Sequence, residues 1–235
     1  ALPEAVVRLP DDACGAGVPA VDTTTTAVVI SVRVDSIDGT GRVLGAAGPC
    51  LVRGAGPRLT SFGVMQFDSA DVGGLVARNI AYDVIRHEMG HVLGIGTLWN
   101  AGGRALRAGT NTFDVAYVGA GGVDGSGTLG YTDPGAPAPV ENTGGGGTAN
   151  AHWREAVYGS ELMTGFINNG GNPASRLTVL SLGDLGYAVN PAAAEALLPP
   201  ALSAALSRAP RAARLAGPDG APMVDVPLLP LFVAG

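Results

Sequence analysis

Three histidines, His87, His91 and His152, are the whole imidazole complement of this chain. Two of them stand in the run His87-Glu88-Met89-Gly90-His91. Residues four apart on a helix lie on one face, a turn from each other, so both imidazoles can reach one ion. Glu88 lies beside them, near enough to handle a proton on a metal-bound water. Two imidazoles and a carboxylate in this spacing can do one chemistry together: hydrolysis by a metal-activated water with the carboxylate as base.

A catalytic zinc takes three protein ligands and keeps a fourth position for water. His152 is the histidine left to supply the third; Glu155, Glu161 or an aspartate within 101–151 are the competing donors. Two features favour His152. It precedes Glu161-Leu162-Met163-Thr164-Gly165, which reads as a tight turn presenting a methionine. Gly94, three residues after His91, lets the chain leave the helix sharply, so that a ligand from a non-helical segment can return to the ion. On its own, His152 beside Trp153 would read as a structural histidine; with two ligands requiring a third, it reads as a ligand.

The run from His87 to Trp99, HEMGHVLGIGTLW, resembles the zinc helix of the metzincins. More narrowly, the chain is similar to leishmanolysin-type peptidases and their bacterial relatives. Thr97 stands where most metzincins place the third histidine. Leishmanolysin-type enzymes have a long insertion there, and the step from His91 to His152 fits that habit. Glu161-Leu162-Met163 matches their methionine turn, and Gly63 to Asp71 and Ser181 to Val189 resemble the flanking segments. The likeness spans residues 23–190.

The resemblance implies an α+β fold, a metzincin-like two-lobed zincin around a cleft. A mixed twisted sheet and the zinc helix form the upper lobe (1–95). An irregular, Gly-rich lower lobe (96–190) carries the long insertion, His152 and the Met-turn, and 191–235 is an Ala/Pro-rich extension. It makes Glu88 catalytic, His87, His91 and His152 the ligands of one Zn2+, and Met163 the hydrophobic floor beneath the ion. The activity it implies is zinc-dependent endopeptidase action on protein or peptide substrates. The rival expectation is a non-catalytic secreted binding protein with a structural zinc; Glu88 counts against it, because a structural site needs no base. Calcium on Asp114, Asp124 and Asp133 lacks the loop spacing such sites need. Tyr158 reads as a core tyrosine, with contact to a reaction intermediate as the alternative.

The elements that must position these residues are legible in part. Val28, Ile30, Val32 and Val34 alternate with Val29, Ser31, Arg33 and Asp35, the pattern of a half-buried strand. Asp38-Gly39 marks a turn, and Arg42 to Ala46 reads as the returning hairpin partner. Gly48-Pro49 and Gly56-Pro57 read as breaks. Gly63 to Asp68 reads as a strand, either an ordinary edge strand or one that pairs with an extended substrate. Asp71 reads as the cap of a short turn. Ile80, Val84, Ile85 and Val92 predict a helix over 77–93 that Gly94 ends. Residues 1–22 read as irregular. Residues 101–151 read as a loop-dominated insertion with at most short strands, such as Thr112 to Tyr117. Thr178 reads as an N-cap, 179–185 as a helix with Gly186 as its stop, and 201–208 as a further helix. The rest of 191–235 reads as a surface appendage or a linker.

Composition bounds the remainder. The chain has 235 residues, of which 46% are hydrophobic, enough for a substantial core. Its net charge is −6 and its scattered basic residues are all arginine, which argues against nucleic acid as a partner. There is no apolar run long enough for a membrane span. The chain opens without Met or a signal-peptide pattern, so the expectation is a processed, secreted or cell-surface/periplasmic monomer. Cys14 and Cys50 form one disulfide, as suits an exported protein, or are two buried thiols. A latent form with a thiolate on the zinc is disfavoured, because neither cysteine lies in a segment of pro-peptide character.

Overall fold

The computed structural model describes residues 2–109, 113–168, 171–201, 224–228 and 232–233. Strands β1 (Ala5–Leu9), β2 (Val21–Thr25), β3 (Val29–Asp35), β4 (Val43–Val52) and β5 (Thr60–Asp68) are followed by helices α1 (Ser69–Ala77) and α2 (Ala81–Leu93). Then come β6 (Arg107–Ala108), β7 (Ala116–Tyr117), α3 (Ala120–Thr128), β8 (Ala138–Pro139), α4 (Glu155–Tyr158) and α5 (Arg176–Leu185). A 3-10 turn at Pro191–Ala193 and strands β9 (Val224–Pro227) and β10 (Phe232–Val233) complete the described order. The architecture is mixed α+β.

The largest sheet has β5 at its centre, antiparallel to β4 and parallel to β3. On its other side β4 pairs in parallel with β9 and β10. This topology corrects three expectations. Residues 42–46 do not return as a hairpin on β3; they begin β4, which pairs with β5. The strand over 63–68 is no edge available to a substrate, because β3 and β4 occupy its two sides. Gly48 and Pro49 lie within β4 rather than breaking it. The register slips between Pro49 and Leu51, as a residue without an N–H requires inside a ladder. The C-terminal extension in turn supplies strands to the sheet.

β3 is the outermost strand. Val28 and Ile30 pack into the core beneath α2, but Val32 and Val34 are 59% and 58% exposed, so the apolar face expected over 28–34 is only half used. The N-terminal segment is not irregular throughout: β1 and β2 pair antiparallel, Cys14 and Cys50 form a disulfide, and Arg53 donates to the Pro3, Thr25 and Ala27 carbonyls.

The helix expected over 77–93 is α2, which starts four residues later, at Ala81, and ends at Gly94 as expected; a separate helix, α1, precedes it. Asp68 caps α1 by accepting from the Ala70 N–H, and Asn79, at a φ of 57°, separates α1 from α2. Asp71 caps nothing; it sits buried in α1 and accepts from the Gly41 N–H. One α2 face buries Val84, His87, Glu88, His91 and Val92, placing the motif between the sheet and the second half of the chain. Residues beyond α2 build a core around Trp99, Tyr117, Trp153, Tyr158, Met163, Leu177 and Leu185.

Within 101–151 a nine-residue helix, α3, forms from Ala-Gly-Gly-Val-Asp-Gly-Ser-Gly-Thr, against the loop expected there. Glycine is a poor helix former, but Asp184 of α5 accepts the Gly121 and Gly122 N–H groups at the start of α3. Gly125 abuts the α5 backbone, where a Cβ would come within 2.7 Å of the Leu177 α-carbon. Of the strand expected over 112–117 the described part is Ala116–Tyr117; Thr112 lies outside the described residues. α5 begins at Arg176 with Ser175 as its N-cap residue, three residues before the expected start, because the Thr178 hydroxyl is engaged by the Trp153 indole. Of the helix expected over 201–208, residues 202–208 lie outside the described residues.

Candidate metal centre

Two separate segments deliver the histidines. His87 and His91 lie one turn apart on α2, and His152 comes from the irregular chain before α4. All three are buried. Gly94 ends α2 at a φ of 115°, which favours glycine, and its N–H reaches the Gly90 and His91 carbonyls. The chain then folds back on His91. The Thr97 hydroxyl donates to the His91 carbonyl at 2.8 Å, and the Ile95 carbonyl accepts from His91 Nδ1 at 2.8 Å. Thr97, where the metzincin pattern has its third ligand, therefore holds His91 in place.

His152 is set by a closed loop. The Glu141 N–H donates to the His152 carbonyl and the Asn150 N–H to the Glu141 carbonyl, each at 2.8 Å. The Glu141 carboxylate gathers the N–H groups of Asn142, Thr143 and Glu155. The Thr148 carbonyl, inside that loop, accepts from His152 Nδ1 at 2.8 Å. For His87 the corresponding acceptor is the Leu162 carbonyl, at 2.6 Å.

A carbonyl oxygen accepts and cannot donate, so each Nδ1 carries the ring proton and each Nε2 presents its lone pair. The three Nε2 atoms converge, 3.1 Å between His87 and His91, 3.0 Å between His91 and His152, and 3.3 Å between His87 and His152. Acceptors so disposed cannot bond to one another; a cation shared by all three satisfies each. Together these residues could hold a metal ion.

The competing donors are placed differently. Glu161 is buried with its carboxylate on the Met163 and Ser175 N–H groups, and neither it nor Glu155 shares the histidine cluster. Asp124 pairs with Arg176 at 3.3 Å. Among the described residues, Asp114, Asp124 and Asp133 form no group placed to share an ion.

Glu88 is fully buried on α2, its carboxylate against the Gly45 backbone of β4. Met163, fully buried, lies against Gly90; a Cβ on residue 90 would fall 2.5 Å from the Met163 sulfur. Tyr158 is a core residue: its hydroxyl meets that of Ser126 at 2.8 Å, and burial pushes it above the usual phenol range. Sequence reasoning missed the parts played by Gly45, Thr97, Glu141 and Thr148. Of these, only Thr97 carried a signal, its place in the motif.

Compared with protein-family models and with curated proteins, the chain matches none.

Proposed function

We propose that this chain is a zinc-dependent endopeptidase of leishmanolysin-like metzincin type, with His87, His91 and His152 as ligands and Glu88 as general base. The observation that carries the reading is the convergence of three Nε2 lone pairs whose rings are each fixed through Nδ1. Their separations fit zinc. A circle through three atoms 3.0, 3.1 and 3.3 Å apart has a radius of about 1.8 Å, just under the Zn–N distance of about 2.0–2.1 Å. His87, His91 and His152 would hold the ion, and three protein ligands would leave room for a water, as in catalytic sites.

When bound, zinc lowers the pKa of its water to about 7 and polarises the scissile carbonyl. Glu88 takes the proton of the attacking water and returns it to the leaving amine. Gly45 gives that carboxylate its room, and Met163 packs the floor beneath the histidines. The three backbone carbonyls hold the imidazoles in the ligating tautomer. The disulfide suits an oxidising compartment, and we place the protein outside the cytoplasm, secreted or on the cell surface. No helix among the described residues is long and apolar enough to cross a membrane.

The test is hydrolysis of casein and of a peptide library by purified protein, with and without a chelator. Glu88→Ala keeps stoichiometric zinc and loses turnover. Turnover at the wild-type rate in that variant, or chelator-insensitive turnover, sinks the mechanism. Bound zinc without turnover in the wild type points instead to a binding protein with a structural metal.

A further inference from the structure

Glu161 is fully buried, and the mechanism above does not use it. Each of its carboxylate oxygens is met by a backbone donor. Oε2 accepts from the Met163 N–H at 2.6 Å, and Oε1 accepts from the Ser175 N–H at 3.0 Å and the Ser175 hydroxyl at 2.7 Å. The Thr178 hydroxyl also bonds to it and in turn accepts from the Trp153 indole N–H at 2.8 Å. Burial pushes the Glu161 carboxyl up from its ordinary range, and these donors offset that only in part.

The peptide group joining Leu162 to Met163 has two ends. Its N–H is the one that Glu161 accepts, and its C=O is the one that accepts from His87 Nδ1. A hydrogen bond to one end of a peptide polarises the other, so bonds in series strengthen each other in a buried site. Metal-bound histidines commonly donate their second ring N–H to a carboxylate, which fixes the ring and raises its basicity. Here the same pairing has one peptide group interposed.

We propose that Glu161 is a positioning residue of the metal centre, orienting and polarising His87 through the Leu162–Met163 peptide. The proposal rests on the metal-site part of the reading above and not on peptide hydrolysis. His152 has no such backing: behind its acceptor, the Ala149 N–H donates to an ordinary carbonyl, that of Gly145, at 2.8 Å. The same carboxylate nevertheless fastens the neighbour of His152. The Trp153 indole is tied to it through Thr178, and the Trp153 N–H donates to the Met163 carbonyl at 2.9 Å. Glu161 thus joins the methionine turn, the start of α5 and the segment carrying the third ligand.

The experiment is Glu161→Gln in the full chain, with zinc affinity measured by chelator competition and the histidine Nδ1–H resonances recorded by NMR. Glutamine keeps the size but turns an amide donor toward N–H groups that need acceptors. Zinc affinity is expected to fall about 10- to 100-fold, and the His87 Nδ1–H resonance to move upfield while that of His152 stays. Ser175→Ala is the control for a merely structural role. It removes another donor from the same carboxylate, so it lowers the melting temperature but leaves zinc affinity and the His87 resonance unchanged. Wild-type zinc affinity and an unmoved His87 resonance in Glu161→Gln overturn the proposal. Should that variant fail to fold, the zinc-loaded wild type decides: its His87 Nδ1–H resonance is expected downfield of that of His152, and coincidence of the two overturns the proposal. None of these readouts involves cleavage, so a chain that binds zinc but cuts nothing still tests Glu161.

Discussion

The backbone of Gly45 passes against the carboxylate of Glu88, so that a methyl group at residue 45 would lie 2.8 Å from Glu88 Cδ. Strand β4 and helix α2 meet there, and the absence of a side chain leaves room for the Glu88 carboxylate. Gly45→Ala is therefore expected to displace Glu88 and leave the three histidines in place. Turnover should fall about 10- to 100-fold, the scale of a small misplacement of a catalytic group. Bound zinc, read by elemental analysis, should stay at the wild-type level. Loss of metal along with turnover would show that Gly45 matters to the fold of the site and not to its base.

Gly90 and Met163 form a second close pair. Gly90→Ala pushes a Cβ into the methionine sulfur, and overpacking of this kind costs about 1–3 kcal/mol. Met163→Leu nearly conserves volume and should cost less than about 1.5 kcal/mol. Denaturant unfolding of the two variants ranks them. A leucine variant as damaged as the alanine variant would mean that the sulfur does more than pack.

Asp68 holds the sheet to α1. It accepts from the Ala70 N–H as a cap and from the Ile37, Asp38 and Gly39 N–H groups of the preceding turn. Burial pushes its carboxyl up, but the four N–H donors outweigh that and hold it below the usual carboxylate range. A lowered folded-state value stabilises the fold above the unfolded value of about 3.9, and that stability is lost as pH falls through the lower folded value. Asp68→Ala is expected to cost at least about 2 kcal/mol near neutral pH. The difference from wild type should shrink in acid, where wild-type Asp68 is protonated. A pH-independent difference would contradict the charge-based role.

The Cys14–Cys50 bridge closes a loop with a sequence separation of 36 and lies in a core cluster with Val7, Leu9 and Phe62, apart from the histidines. Chain entropy assigns such a loop about 4 kcal/mol. Replacing both cysteines with serine should lower stability on that scale while native protein at low temperature still binds zinc. Zinc lost without unfolding would tie the bridge to the metal centre.

The site was more legible than its scaffold. His87, His91 and Glu88 follow from helical spacing, and Gly94 and Gly186 end their helices at positive φ as glycines after an apolar pattern do. His152 followed from ligand counting, and the structure brings it to the other two. The two cysteines are bonded, one of the alternatives that the sequence left open. What sequence could not show was non-local. The β3–β5 pairing is parallel and skips β4, whereas adjacency suggested a hairpin. Helix α3 defies its glycine content because Asp184, far along the chain, accepts its first N–H groups. The role of Glu161 depends on a peptide group polarised at both ends, which no spacing announces.

Zinc K-edge anomalous diffraction from crystals of the full chain grown with zinc tests the central claim most directly. The expected result is one strong peak per chain, about 2.0–2.1 Å from the Nε2 atoms of His87, His91 and His152, with a fourth position facing solvent. A map without a peak there, or His152 turned away from the other two histidines, would contradict it.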